Sequence, residues 1–229
     1  MQIKAIVLFG SCARGDQKKD SDVDLLAIHD EKIYRINELG NLNFSLYSID
    51  SLTKMMLTGE LFALHLVRES KVLFEQDDIV SDIYSKFTFK KSYAEVIYNA
   101  NMLAWYIIKF YNSIEKAELS NKRLIWCLRT ISAALAAEKH QSCFSAQSII
   151  ELTPLSFMPW LLKQKNNVKP SKTILEKMRR FLRYHKLYEP LCISELEKIQ
   201  DGMRLFEPRS MGYKFVQSIK NKNMNGSYH

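Results

Sequence analysis

One short string near the N-terminus restricts the fold more than any other part of the chain. Residues 3–9, IKAIVLF, form an apolar, β-branched run that stops at Gly10-Ser11-Cys12-Ala13-Arg14-Gly15. Five polar residues later comes Ser21-Asp22-Val23-Asp24-Leu25-Leu26, and the run Val23–Ile28 reads as a second buried strand. Runs this short, bounded by Gly and polar residues, suit strands better than helices. Gly10 lets the backbone bend close to a ligand, and the N–H groups of such a turn, with the Ser11 hydroxyl, can hold phosphate oxygens. Asp22 and Asp24 stand two apart on a strand and so share a face, where converging carboxylates repel unless a hard cation lies between them. Mg²⁺ suits that donor set, and it adds substrate phosphates as further ligands. The order strand, anion-holding turn, carboxylate-bearing strand therefore predicts a metal–nucleoside triphosphate site, with charge stabilised at the α-phosphorus.

Around this string the patterning predicts a small α+β unit. The run 42–48, LNFSLYS, alternates with period two and reads as a strand with Leu42, Phe44 and Leu46 toward the core and Asn43, Ser45 and Tyr47 on the other face. The charged segment 30–39 is read as a connection, and 71–75, KVLFE, as a further strand. Between them, Ser51 opens a helical stretch, 51–67, with Gly59 in its middle. Beyond residue 80 the texture changes to helices at roughly 82–118, 121–140, 145–151, 158–166, 171–188 and 193–206, with the five prolines, 154, 159, 170, 190 and 208, at the segment boundaries. The expected domains are residues 1–80, α+β, and 81–229, an all-α helical bundle.

Charge divides along the same line. The chain carries +8, but residues 1–90 sum to −3 and the remainder to +11. Such asymmetry suggests a polyanionic partner, either nucleotide phosphates or RNA, against the plainer reading of a solvated lysine coat. The four cysteines, 12, 127, 143 and 192, have no metal-finger spacing, which points to a reducing cytoplasm. No stretch reaches the roughly 20 apolar residues of a membrane span.

The string GSCARG followed by SDVDLL resembles the signature of the DNA polymerase β-like nucleotidyltransferase superfamily, especially its minimal nucleotidyltransferase branch. The resemblance covers about residues 3–75 and is specific at 9–28. It implies that Gly10, Ser11, Arg14 and Ser21 surround the nucleotide, that Asp22 and Asp24 ligate two Mg²⁺ ions, and that a third carboxylate on a later strand activates the acceptor hydroxyl. Asn43 stands where that third carboxylate is expected, so Asp50, Glu95 or Glu138 would have to supply it. The implied reaction transfers a nucleoside monophosphate, AMP from ATP, to a hydroxyl on a protein, an RNA or a small molecule. The alternative is a nucleotide-binding module without turnover, acting as a sensor or antitoxin with a partner protein or as a homodimer.

Members of this superfamily often carry a helical second domain, some of it HEPN-type. The HEPN ribonuclease pattern Arg-x4–6-His is met by Arg180 and His185, but ordinary chance yields such a match, and the solvated face of an amphipathic helix explains the segment more simply. The aromatic stripe Met102–Ile108 reads as core. Arg129, on an otherwise apolar helix, must be paired or face a cleft.

Overall fold

The computed structural model describes residues 2–17, 21–31 and 35–223. The first elements are β1 (Ile3–Phe9), α1 (Gly10–Arg14), β2 (Val23–His29), β3 (Arg35–Leu39), β4 (Leu42–Ser48), α2 (Ile49–Leu57), α3 (Leu61–Glu69), β5 (Lys71–Glu75) and α4 (Ile79–Ser85). Helices follow: α5 (Ala94–Phe110), α6 (Ala117–Ala137), α7 (Ala146–Leu152), α8 (Met158–Leu162), α9 (Lys172–Tyr184), α10 (Leu191–Ser194) and α11 (Met211–Asn223). The chain forms two compact units, residues 1–92 with 136–145, and 93–135 with 146–229. The first is α+β and the second, among the described residues, is helical.

The first unit is built on a five-stranded mixed sheet in the order β3-β4-β2-β1-β5. Only β2 and β4 run parallel; the other three pairings are antiparallel. The alternating residues Ala5 and Val7 of β1 and Leu26 and Ile28 of β2 are buried against Leu52, Met56, Ala63, Leu66, Val80 and Ile83 of α2, α3 and α4. Burying that many aliphatic side chains, at about 1.5–3 kcal/mol each, is what holds sheet and helices together.

Three local expectations are corrected. Segment 30–39 holds a strand, β3, which pairs with β4 through a two-residue turn at Gly40-Asn41, Leu39 lying opposite Leu42; residues 32–34 are outside the described part. On β4 it is Tyr47 that packs against the helix-covered core, so Asn43, Ser45 and Tyr47 share the core face, while Leu46 is buried on the other side. Both sheet faces are partly covered at β4, and alternation alone does not tell which one the helices occupy. The stretch 51–67 is two helices. Ser48, not Ser51, starts α2, its hydroxyl accepting the Ser51 N–H at 3.1 Å.

The break between α2 and α3 turns on Gly59, whose φ is +62°. A Cβ there would run into the Thr88 carbonyl oxygen and come within 2.7 Å of the Lys90 nitrogen, both backbone atoms. Gly59→Ala is therefore expected to cost about 2–4 kcal/mol of stability, combining left-handed strain with a clash that no rotamer relieves. Urea unfolding checks it: the midpoint should fall with an unchanged m value.

In the second unit the stripe on α5 is core, with Leu103, Ala104, Tyr106 and Ile107 almost wholly enclosed. A polar clamp fixes the loop before α9. The buried Tyr111 hydroxyl donates to Asn121 Oδ1 at 2.7 Å, and the Asn121 amide donates to the Asn167 carbonyl at 2.7 Å. Helix α9 starts at Ser171, whose hydroxyl accepts the Ile174 N–H. The expected helix 82–118 is interrupted between α4 and α5, and α11 lies beyond the expected helices.

Candidate nucleotide site

The register of the sheet assembles the site. Phe9 at the end of β1 lies opposite Asp24 of β2, and Asp24 lies opposite Asn43 of β4. Opposed residues share a face, so Asp24 and Asn43 stand together on the helix side of the sheet. There the Asn43 amide donates to Asp24 Oδ1 at 3.0 Å. The other carboxylate oxygen faces Gly10. A Cβ built on Gly10 would lie 2.5 Å from Asp24 Oδ2, and Gly10 has φ +74°. Turn and carboxylate are thus in contact, and only glycine meets both demands.

Asp22 is exposed just before β2, where the Val23 N–H bonds the Asn41 carbonyl at 2.7 Å and so fixes the strand's entry. The Cys12 thiol reaches the Asp22 carbonyl at 3.5 Å and ties the Gly10 turn to the same point. Ser11 is half-buried, and its carbonyl accepts the N–H groups of Gly15 and Asp16 at 3.0 and 3.2 Å, closing the short helix α1. Ser21 is half-buried beside Asp22.

Arg14 is anchored from below. Its Nη1 donates to Glu69 Oε2 at 2.8 Å and its Nε to Asp16 Oδ1 at 3.2 Å. His65 Nε2 lies 3.3 Å from the same Glu69 oxygen, and the His65 ring stacks on Phe144 with its edge toward Phe9. Glu69 carries no mark in the sequence, and His65, one turn before it on α3, reads there only as one of the residues recurring at helical intervals; their shared partner, Arg14, lies 51 and 55 residues away.

Glu69 is largely buried, which by itself raises a carboxyl pKa, yet hydrogen bonds from His65 and Arg14 outweigh this and hold it below the ordinary 4.5. A depressed folded pKa contributes stability that is fully present above the unfolded value and is lost as pH falls through the folded one. Glu69→Gln is therefore expected to flatten the loss of stability on acidification below about pH 4.5. Urea midpoints of both proteins across pH 3–7 check this.

Asp50 is exposed in the first turn of α2, Glu95 belongs to the second unit, and Glu138 accepts from the Ser92 hydroxyl at 2.9 Å. Among the described residues no three His, Cys, Asp or Glu side chains form a group able to hold a metal ion. The donor set that remains, Asp22 and Asp24, is all oxygen and fits Mg²⁺ in the manner that leaves room for substrate phosphates. In the second unit Arg180 lies over Phe157, whereas His185 bonds the Thr153 hydroxyl at 2.8 Å. Arg129 is half-buried on α6. No described helix is long and apolar enough to cross a membrane.

Residues 1–79 match the family model described as "Polymerase beta, Nucleotidyltransferase". The N-terminal segment is thus a nucleotidyltransferase domain of the polymerase β kind, as its motif implied. A "Putative protein adenylyltransferase" of Methanocaldococcus jannaschii is 36% identical over 75 residues, which cover 33% of this chain and 62% of that relative. A nucleotidyltransferase-like protein from Exiguobacterium sibiricum aligns over 98% of this chain and 84% of its own, with 13% identity and a TM-score of 0.32.

Proposed function

We propose that the chain transfers a nucleoside monophosphate, AMP from ATP, to a hydroxyl acceptor at the site formed by Gly10, Ser11, Asp22 and Asp24. The observation that carries this reading is the contact between the Gly10 turn and the Asp24 carboxylate, with no room for even one added carbon. A turn that can hold phosphate oxygens is thereby set against a carboxylate that can hold their counter-ion. Asp22 and Asp24 would bind Mg²⁺, which supplies charge neutralisation and Lewis acidity at the phosphates. In the reaction the acceptor oxygen bonds to the α-phosphorus, the bond to the β-phosphate oxygen breaks, pyrophosphate leaves, and the hydroxyl proton is released. Gly10 and Ser11 orient the triphosphate. Cys12 and the Arg14–Glu69–His65 chain hold the turn in place. The family match over residues 1–79 and the name given to the archaeal relative support the same direction.

A second reading has its own support. Asn43 occupies the position beside Asp24 and spends an N–H on its carboxylate. An amide is no base, and such a site could hold nucleotide without turning it over. Incubation with each α-labelled nucleoside triphosphate, Mg²⁺ and cell lysate separates the two. Transfer predicts label on a macromolecule or small molecule together with released pyrophosphate. Nucleotide binding without either product would replace the enzyme by the binding module.

A further inference from the structure

The excess positive charge is concentrated in one stretch. Between residues 157 and 188 nine Lys or Arg accompany a single acid, Glu176, a surplus of +8 that equals the net charge of the whole chain. None of the nine takes part in a salt bridge among the described residues. On α9 the residues Lys177, Arg180 and Tyr184 fall at i, i+3 and i+7 and form one stripe, about 10 Å long. Trp160 flanks it. The Lys177 ammonium lies 5.4 Å from the Trp160 ring and 5.1 Å from Phe157, and the Arg180 guanidinium sits 4.8 Å above Phe157. Trp160 and Tyr184 nevertheless remain 39% and 49% exposed. The surface therefore offers cations held in place by ring faces, with two large rings left open to solvent.

We infer that this face of α8 and α9 binds single-stranded nucleic acid, its cations on the phosphates and Trp160 and Tyr184 stacked on bases. A membrane surface is a poorer fit. The apolar side of α9, Ile174, Leu175, Met178, Phe181 and Leu182, is buried in the unit's own core and has nothing to insert into lipid. A duplex, whose bases are already stacked, would use the cations and leave the rings idle. The inference concerns the second unit alone and stands whether or not the first unit transfers nucleotide.

Fluorescence anisotropy with labelled oligo(U) and with oligo(dT) of equal length tests it, the two arms distinguishing RNA from DNA. Trp160→Ala and Tyr184→Ala should each weaken binding by about tenfold or more. Lys177→Gln/Arg180→Gln should reduce the slope of log affinity against log salt by about 1.4, corresponding to two lost phosphate contacts. Lys54→Gln, an exposed lysine of the first unit, should change neither. All the variants are at exposed or half-exposed positions, and circular dichroism melts establish that they fold. Absence of binding at low salt, or binding that heparin and duplex DNA match and that the aromatic substitutions leave unchanged, would overturn the inference.

Discussion

Asp24→Asn is expected to lower nucleotidyl transfer by about a thousandfold or more while leaving the protein folded. The substitution is close to isosteric, and its carbonyl oxygen can still accept the Asn43 amide that now bonds Asp24 Oδ1. What it removes is the negative charge. A neutral amide is a weak ligand for a hard divalent ion, so the site would keep its shape and lose its hold on the metal. Stability should change by less than about 1 kcal/mol, because only the charge assistance of one hydrogen bond is lost. Pyrophosphate release and a urea melt on the same preparation read the two effects separately. A variant equally active and equally stable would place the chemistry elsewhere.

The second large effect is expected from Gly10→Ala. The backbone at Gly10 is left-handed, which costs an alanine about 1–2 kcal/mol. The added carbon would also overlap Asp24 Oδ2, at 2.5 Å. That oxygen ends a side chain and can swing away, so the fold survives. The carboxylate cannot both swing away and keep its place facing the turn. A displacement of about 1 Å at a reacting centre can cost a hundredfold in rate. Gly10→Ala should accordingly lose about two orders of magnitude in transfer for a modest drop in unfolding midpoint. Gly59→Ala offers the contrast, since there the obstructing atoms are backbone and the cost falls on stability.

Much of this was legible from residue order. Strands β1, β2, β4 and β5 correspond to apolar or alternating runs, and Gly10 and Asp24, which stand out by their spacing, are brought together by the sheet register. Asn43 was matched to the third-carboxylate position from sequence, and the Asp24–Asn43 pairing places it beside the carboxylate. What was missed has physical causes. Strand β3, RINEL, is rich in charge because it is an edge strand with one neighbour, and such strands resist further pairing by being polar. Its one clear signal was the Gly40-Asn41 turn. The faces of β4 were inverted because Leu46 and Tyr47 are both largely enclosed, one on each side. Gly59 falls within a helical period and nothing local marks the break, since the Thr88–Lys90 backbone that packs on it is distant in sequence. The return of residues 136–145 to the first unit, which brings Phe144 onto His65, had no local signature.

The most direct test of the metal–nucleotide site is calorimetric titration of ATP, with and without Mg²⁺, into the wild-type protein and into Asp22→Asn/Asp24→Asn. The wild type should bind ATP at least about tenfold more tightly with Mg²⁺, and the double variant should lose that difference, because the two carboxylates assigned to the metal are gone. Equal affinity with and without Mg²⁺ in the wild type, or an undiminished Mg²⁺ effect in the double variant, would contradict the assignment of Asp22 and Asp24.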